Sequence, residues 1–241
     1  MGSQSQPKIP VIDMSNESLK PGARCNEIRH AFEEIGCFEA IYREVPLELH
    51  NNVFATAAEL FGLPNEIKMK NKSTKTYFDY FGQYASLPLY ESLAIDNPTS
   101  LESTQSFTTL MWPAGYQGFC HNVYPISKPH ARMHQRKVEM GYPAQSGVRH
   151  TKVALGHECF TAWSNDRIRP CWHKVNMTAS ETRISMGLFS FISGTVNIPE
   201  EFADDTWPLR YKPFNHFGYL RFNSEAEPKG LPSTLKDYCG M

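Results

Sequence analysis

The stretch CWHKVNMTASETRISMGLFS, residues 171–190, contains two segments in which apolar and polar residues alternate as they do in β-strands. Similar segments, separated by short polar turns, lie on both sides of it. The predicted strands are HECFTAW (157–163), WHKVNM (172–177), RISMGLFSFI (183–192) and TVNI (195–198). Closely spaced short strands are typical of a β-sandwich or barrel. We therefore predict such a β-structure for the chain after Val153.

The first part of the chain has a different pattern, in which helices alternate with short strands. Helices are predicted over residues 22–35, 46–61 and 65–70, and strands over residues 8–14 and 37–42. Gly36 and Gly62 stand where glycine commonly ends a helix. Residues 74–119 are rich in Pro, Gly, Tyr and Trp, which predicts an ordered but irregular segment. Helices followed by strands indicate an α+β fold.

The composition limits the classes of partner. The chain has 241 residues, of which 41% are hydrophobic and 20% charged, and its formal net charge is −1. This length is sufficient for a sizeable hydrophobic core. The near-neutral charge predicts no nucleic-acid partner, and the lack of an apolar run of about 20 residues predicts no membrane partner. We expect a monomer.

The N-terminus and the cysteines indicate a cytoplasmic location. The first residues, MGSQSQPKIP, lack the basic and apolar regions of a secretory signal. The six cysteines are scattered and include no C-x-x-C pair. They are therefore expected to be reduced thiols, and a zinc site built on cysteine is not expected.

Two histidines four residues apart, His130 and His134, have the spacing of the zinc protease motif H-E-x-x-H. Ala131 stands where that motif has its general-base glutamate. The segment is also basic and follows Pro129, which favours a solvated stretch over a metal site.

The strand-borne residues form a more specific pattern. Arg183 and Ser185 are two residues apart, so on a strand both side chains lie on one face. A guanidinium group with a neighbouring hydroxyl can bind a carboxylate. The alternative is a surface arginine paired with Glu181. His173 taken alone is equally compatible with an ordinary structural histidine.

Several segments together resemble plant Fe(II)/2-oxoglutarate-dependent dioxygenases, in the branch that includes enzymes modifying glucosinolate side chains and steroidal glycoalkaloids. The C-terminal segments that carry the resemblance are WSNDRIRPCWHKV (163–175), ETRISMGLFSF (181–191) and YKPFNHFGYLRF (211–222). Those elsewhere are IPVIDM (9–14), GCFEAIYREVP (36–46), LPLYESLAID (87–96) and LKDYCGM (235–241). The resemblance covers roughly residues 7–125 and 153–241.

The resemblance implies roles for the strand-borne residues. Family members hold Fe(II) on a jelly-roll, or double-stranded β-helix, with an H-x-D pair and a distal histidine. The distal histidine matches His173, and the family's 2-oxoglutarate-binding R-x-S matches Arg183 and Ser185. The implied cofactors are Fe(II) and 2-oxoglutarate, with ascorbate as a supporting reductant. The implied substrate is a small plant specialised metabolite, contacted by irregular segments such as residues 77–90.

The H-x-D pair is altered in this sequence. Its best match is His150-Thr151, after which Lys152 stands in place of the carboxylate. His150 is therefore a second candidate iron ligand. Glu158 or Asp166 could supply the missing carboxylate, although no spacing favours either. His157 matches a structural position of the family and is not expected to be a ligand.

The chain is shorter than typical family members by something like a quarter, and the missing part falls between Lys128 and Val153. By resemblance the chain divides into an N-terminal region (7–125), an irregular segment (126–152) and the remnant of a jelly-roll domain (153–241). Missing strands would leave unpaired sheet edges and an open apolar face, and hence a tendency to aggregate. The aromatic and apolar residues expected to lose cover are Phe160, Trp163, Leu188, Phe189 and Phe191.

Two functions follow from this sequence. The first is Fe(II)/2-oxoglutarate-dependent hydroxylation or desaturation of a small metabolite, impaired because the carboxylate ligand is lost. The alternative is a catalytically inactive remnant that at most binds a ligand or a partner. The missing carboxylate is the feature that separates the two.

Overall fold

A computed structural model describes most of the chain. The described residues are 8–15, 21–41, 43, 45–85, 87–116, 118–134, 139–143, 151–155, 157–171, 173 and 182–241. In chain order the helices are α1 (Pro21–Glu34), α2 (Leu47–Phe61), α3 (Asn65–Lys68), α4 (Leu101–Met111), α5 (Gly118–His134), α6 (Glu158–Trp163), α7 (His216–Ala226) and α8 (Leu235–Cys239). The strands are β1 (Val11–Asp13), β2 (Cys37–Ile41), β3 (Glu139–Pro143), β4 (Thr151–Leu155), β5 (Ser185–Leu188), β6 (Thr195–Val196) and β7 (Phe214–Asn215). The mixture of helix and sheet agrees with the predicted α+β class.

Contacts divide the chain into two compact units. Unit 1 consists of Met1–Arg43 and Lys137–Met241, and unit 2 is the continuous segment Glu44–Arg136. These boundaries follow contacts. The division into 7–125, 126–152 and 153–241 follows the resemblance instead, and stays a prediction. In the described part of the chain, no helix is both long and apolar enough to span a membrane.

The main sheet of unit 1 has the strand order β1-β2-β4-β3-β5. β1 is parallel to β2, and the other neighbouring pairs are antiparallel. In the pairing of β2 with β4, Ala40 lies opposite Lys152. The sheet therefore joins strands from both ends of the chain. β6 and β7 form a separate two-stranded sheet.

The sequence patterns correctly predicted α1, α2, β1 and β2. In α2 the residues at helical spacing include Val53, Ala57 and Leu60, which are all buried. β2 departs from strict alternation only at its start, where the adjacent residues Cys37 and Phe38 are both buried, whereas Phe38 and Ala40 share one buried face. Gly36 separates α1 from β2 with a φ of +82°, a conformation that favours glycine.

The prediction that residues 157–163 form a strand is wrong, because Glu158–Trp163 form helix α6. A strand needs a neighbour for its N–H and C=O groups, whereas a helix pairs these groups internally. In α6 the buried residues are Cys159 and Ala162, spaced three apart as on one helix face. Both belong to the apolar core of unit 1. The other members of that core are Val196, Tyr211, Phe214, Tyr219, Leu235 and Cys239.

Predicted strand 183–192 is shorter than expected, since β5 covers only Ser185–Leu188. Its first residue, Ser185, lies opposite Pro143 of β3. Proline has no backbone N–H and cannot donate to a neighbouring strand, which explains why the pairing ends there. The prediction for residues 195–198 is confirmed for Thr195–Val196. Most of predicted strand 172–177 lies outside the described residues.

The expectation that residues 74–119 are irregular is wrong for α4, which covers Leu101–Met111. The Ser100 side chain caps this helix by accepting a hydrogen bond from the Ser103 N–H. The core of unit 2 contains residues from α2, α4 and α5. Its buried members are Leu60, Phe107, Met111, Phe119 and Val123.

Regular structure also extends into residues 126–152, contrary to the expectation of an irregular segment. α5 continues to His134, β3 follows at Glu139–Pro143, and β4 begins at Thr151. Pro125 and Pro129 within α5, and Gly141 within β3, are residues that usually interrupt such elements. They explain why the sequence pattern missed both. Residues 135–138 and 144–150 lie outside the described part.

A buried ion pair stabilises the irregular part of unit 2. The Lys68 ammonium, 4% exposed, donates to both carboxylate oxygens of Glu91 at 3.0 and 2.8 Å and to the Phe61 carbonyl at 3.0 Å. Glu91 also accepts from the Tyr80 hydroxyl at 2.7 Å and from Gln83 at 2.9 Å. Segment 77–91 is therefore attached to α3 through one carboxylate.

Asn165 has the corresponding role in unit 1, where it is fully buried. Its side-chain amide donates to the carbonyls of Phe202 and Pro208 at 2.9 and 3.2 Å, and its Oδ1 accepts from the Arg210 N–H at 2.9 Å. Its own carbonyl accepts from the Trp207 indole at 2.8 Å. Its φ of +53° is a conformation that asparagine tolerates better than most residues. Asn165 thus connects the turn after α6 with residues 202–210.

Candidate functional site

His173 is exposed, and its ring is held by a short contact to the backbone. Its Nδ1 lies 2.9 Å from the Cys171 carbonyl oxygen. A carbonyl only accepts hydrogen bonds, so in the neutral ring Nδ1 carries the proton and Nε2 carries the lone pair. Metal-binding histidines commonly have this arrangement, in which one ring nitrogen bonds to a carbonyl and the other is free to bind metal.

His157 lies close enough to His173 for the two rings to influence each other. It immediately precedes α6 and is followed by Glu158. Burial lowers the pKa of His157, the charge of Glu158 opposes this, and the charge of His173 adds to it. His157 thus interacts both with the candidate ligand and with the Glu158 carboxylate.

His216 and Tyr219, both in α7, interact with His157 and Glu158 respectively. Burial lowers the pKa of His216 to about 4, and the charge of His157 contributes in the same direction. The His216 Nδ1 accepts a hydrogen bond from the Ile192 N–H at 3.2 Å, as a neutral ring can. Tyr219 donates to the Glu158 carboxylate, and burial followed by this hydrogen bond raises the tyrosine pKa. Glu158 is thereby engaged by a tyrosine.

Sequence reasoning did not single out His216 or Tyr219. Both lie in the segment YKPFNHFGYLRF (211–222). This segment contributed to the family resemblance but did not indicate a function for either residue. The available signal was a histidine in an otherwise apolar run. Such a residue is usually a hydrogen-bonded core histidine, as His216 is.

The described residues do not assemble a complete iron-binding set around His173. No three His, Cys, Asp or Glu side chains among them are arranged to hold a metal ion. His150 lies outside the described part of the chain, and Lys152 lies within β4. His130 and His134 lie in α5, and their side chains are outside what the structure describes. The role of His173 as an iron ligand stays a prediction.

Arg183 and Ser185 lie at the start of β5. Ser185 is its first residue and is exposed, while Arg183 is half-buried and precedes the strand. Their common face and their position near His173 stay predictions, because no measured distance joins these side chains.

Asp166, the other carboxylate considered as a replacement ligand, already has three cationic or polar partners. It accepts from the Tyr211 hydroxyl and from Arg210 at 2.9 Å, and the Lys236 ammonium lies 3.6 Å away. Burial alone would raise the pKa of Asp166. The hydrogen bonds from Tyr211 and Arg210 and the charge of Lys236 outweigh this and hold the pKa below its ordinary value of 3.8.

We expect Asp166→Asn to destabilise the protein at neutral pH and to lose this effect in acid. A carboxyl whose pKa is lower in the folded state stabilises the fold above its unfolded pKa, and this contribution disappears as the pH falls through the folded value. The expected loss at pH 7 is about 1–3 kcal/mol. Urea unfolding at pH 7, 5 and 3 measures it, with Asp205→Asn at an exposed carboxylate as the control. A loss that is equal at all three pH values would contradict the role of the charge.

Comparison with known proteins shows which family the chain resembles. A family model described as "non-haem dioxygenase in morphine synthesis N-terminal" matches residues 9–114. The chain is 27% identical to the Arabidopsis thaliana protein "Probable 2-oxoglutarate-dependent dioxygenase AOP1.2" over 298 residues, covering 89% of this chain and 90% of that protein. This chain is similar to plant 2-oxoglutarate-dependent dioxygenases over most of its length.

Solved structures of oxygenases are similar to this chain in fold. The rice dioxygenase for auxin oxidation matches with a TM-score of 0.77 and 17% identity, over 97% of this chain and 100% of that chain. JOX2 in complex with 2OG, Fe and JA matches with a TM-score of 0.70 and 14% identity, over 89% of this chain and 84% of that chain. At these identities the likeness shows the fold, which in these oxygenases is a jelly-roll.

Proposed function

We propose that this chain is an impaired Fe(II)/2-oxoglutarate-dependent oxygenase acting on a small plant specialised metabolite. The proposed reaction is a hydroxylation or desaturation. Bound Fe(II) and 2-oxoglutarate supply its oxidising chemistry, with 2-oxoglutarate converted to succinate and CO2. The similar solved structures are a rice dioxygenase for auxin oxidation and JOX2 in complex with 2OG, Fe and JA, and this supports a small-molecule substrate for the chain.

The geometry of His173 is the observation that carries this proposal. Its Nδ1 is engaged by the Cys171 carbonyl at 2.9 Å, so Nε2 is presented as a fixed lone pair on an exposed ring. A fixed ring orientation reduces the entropy lost when a metal binds. The histidine that the family pattern identifies as a ligand thus has the tautomer and the exposure that a ligand requires.

We assign the binding of 2-oxoglutarate to Arg183 and Ser185. The guanidinium can form two parallel hydrogen bonds to the distal carboxylate, and the Ser185 hydroxyl can donate a third. Half-burial of Arg183 would strengthen this interaction, because a partly desolvated charge is less screened by salt. Ser185 is fixed in position by the pairing of β5 with β3.

Impairment follows from the residue at the carboxylate position. An anionic ligand offsets part of the charge of Fe(II), whereas a lysine ammonium repels the cation. Lys152 stands at that position, and the two carboxylates that could replace it are engaged elsewhere. Glu158 accepts from Tyr219, and Asp166 is paired with Arg210. We therefore expect Fe(II) to bind weakly.

We further propose that the jelly-roll of this chain is internally truncated. The alignment with AOP1.2 is 298 residues long, longer than the whole chain of 241 residues, so the relative contains positions without a counterpart here. The large exposed fraction of Phe189, 58%, is consistent with an apolar face that has lost cover. The main sheet has five strands in the part of the chain that the structure describes, which is consistent with a shortened jelly-roll.

The second candidate function is that of an inactive remnant, and the altered set of iron ligands is the reason for it. An inactive remnant that binds 2-oxoglutarate or a partner would need Arg183 and Ser185 but no iron. Lys152, which stands where the family pattern has its carboxylate ligand, favours this alternative.

Calorimetric titration of Fe(II) under anaerobic conditions tests the proposal. We expect binding weaker than micromolar that disappears in His173→Ala, since removal of the ligand leaves no preorganised donor. Arg183→Ala is the matched control. It should leave Fe(II) binding unchanged and abolish the binding of 2-oxoglutarate.

Succinate release then separates the two functions. Slow release that depends on Fe(II), ascorbate and a substrate supports the impaired enzyme. If 2-oxoglutarate binds while no Fe(II) binds and no succinate forms, the chain is the inactive remnant. Fe(II) binding that is tight and independent of His173 would overturn the assignment of the ligand.

A further inference from the structure

Two cysteines of unit 1, Cys37 and Cys171, lie near each other although they are far apart in the sequence. Cys37 is the first residue of β2, and Cys171 lies in the segment before His173. Both are free thiols, and a Cβ atom at Gly36, the residue next to Cys37, would lie 3.1 Å from the Cys171 nitrogen. The Cys171 thiol is also among the groups that influence the pKa of the Cys37 thiol.

The backbone holds the two segments together independently of the thiols. A Cβ atom at Gly36 would lie only 2.6 Å from the Arg169 carbonyl oxygen and 3.1 Å from the Cys171 nitrogen. The Arg169 N–H also donates to the Phe32 carbonyl at 3.4 Å. Only glycine allows this close approach, so Gly36 keeps the end of α1 against residues 169–171. The proximity of Cys37 and Cys171 is thus a property of the packing.

The two thiols differ in their access to solvent. Cys37 is 2% exposed, whereas Cys171 is half-buried and can be reached from outside. Burial, and after it the hydrogen bond to Cys171, raises the pKa of Cys37 to about 12. A buried protonated thiol is a poor first target for an oxidant, so the more accessible Cys171 reacts first.

We propose that Cys37 and Cys171 form a disulfide when the protein meets hydrogen peroxide. The Cys171 sulfur attacks the peroxide, which breaks the O–O bond, gives the sulfenic acid of Cys171 and releases one water. The Cys37 sulfur then attacks the Cys171 sulfur, forms the S–S bond and releases the hydroxyl with the thiol proton as a second water. Two thiols lose two electrons in total, and one hydrogen peroxide is reduced to two waters.

The disulfide would act on the residue that we propose as the iron ligand, and this part rests on the proposed function. The carbonyl that holds the His173 ring belongs to Cys171 itself. A covalent bond from Cys171 to β2 would fix the position of that carbonyl relative to the sheet. Oxidation is therefore expected to change the Fe(II) affinity of the protein, whereas formation of the disulfide does not itself depend on iron.

Peptide mapping of the full chain tests the proposal. The reduced protein is treated with a small excess of hydrogen peroxide, quenched with catalase, unfolded in N-ethylmaleimide and digested. We expect equal loss of maleimide labelling at Cys37 and Cys171, and one cross-linked peptide pair joining them that dithiothreitol removes. Cys171→Ser should abolish this pair, and Cys25→Ser, at an exposed thiol of α1, should leave it unchanged.

Peptide mapping of the wild-type protein alone shows whether the disulfide forms. The test therefore does not depend on the folding of a variant. Oxidation of Cys171 to the sulfinic acid while Cys37 stays fully labelled would overturn it, as would a cross-link that joins either residue to another cysteine. Fe(II) titration of the oxidised and reduced protein is a separate measurement. If neither form binds Fe(II), the proposed function fails while the mapped disulfide still stands.

Discussion

Lys152→Asp is expected to tighten Fe(II) binding about 100-fold. The substitution removes a cation from the carboxylate position of the family pattern and introduces the anionic oxygen ligand that, with two histidines, forms the facial set of non-haem iron oxygenases. Lys152 is the second residue of β4 and lies opposite Ala40, so its backbone position is fixed by the sheet. The backbone that carries the new carboxylate is therefore already in place before Fe(II) binds.

Anaerobic calorimetry of three proteins isolates the ligand effect. Lys152→Ala removes the repulsion without adding a ligand, and its gain should be at most about tenfold. The double variant Lys152→Asp with His173→Ala should return to negligible binding. Equal affinities for Lys152→Asp and Lys152→Ala would show that the carboxylate does not reach the metal, which would remove His150-Thr151-Lys152 from the site.

Asn165→Ala is expected to lower the free energy of unfolding by about 3–5 kcal/mol. The substitution leaves the carbonyls of Phe202 and Pro208 and the N–H of Arg210 without their side-chain partner in a fully buried position. It also places alanine at a φ of +53°, which adds backbone strain. Urea unfolding followed by circular dichroism measures the loss.

Two further variants separate these causes. Asn165→Gly removes the hydrogen bonds but tolerates the positive φ, so it should be less destabilising than alanine by about 1 kcal/mol. Asn223→Ala, whose amide donates to the Ser233 carbonyl at 3.2 Å on the same unit, should cost only about 1 kcal/mol. If Asn165→Gly were as stable as the natural protein, the backbone conformation and not the hydrogen bonds would explain the effect.

Periodicity predicted the elements whose structure is decided locally. α1 and α2 have apolar residues at helical spacing and end at glycine, and the structure has both. α6 could not be predicted in this way, because CFTAW alternates like a strand and becomes a helix without a neighbouring strand in the described sheet. β3 was missed for the opposite reason, since EMGYP has poor strand residues and depends on its pairing with β4 and β5.

Sequence reasoning identified only those candidate site residues that belong to a known motif. His173, Arg183 and Ser185 were identified through the family pattern. The proximity of His157 and His216 to this region depends on how α6 and α7 fold together, and sequence spacing does not contain that information. The proximity of Cys37 and Cys171 was equally hidden, because residues far apart in sequence meet only through the packing at Gly36.

The pairing of β2 with β4 also determines when each part of the chain can fold during synthesis on the ribosome. The partner of Ala40 is Lys152, so the middle of the main sheet cannot form until the growing chain has passed that residue. Unit 2, in contrast, is one continuous segment that is synthesised within this interval and can fold while translation continues. During the same interval β1 and β2 have no β4 to pair with. The nascent chain therefore exposes an unpaired strand edge from the synthesis of Ile41 until that of Thr151, and this is the period in which it depends most on chaperones.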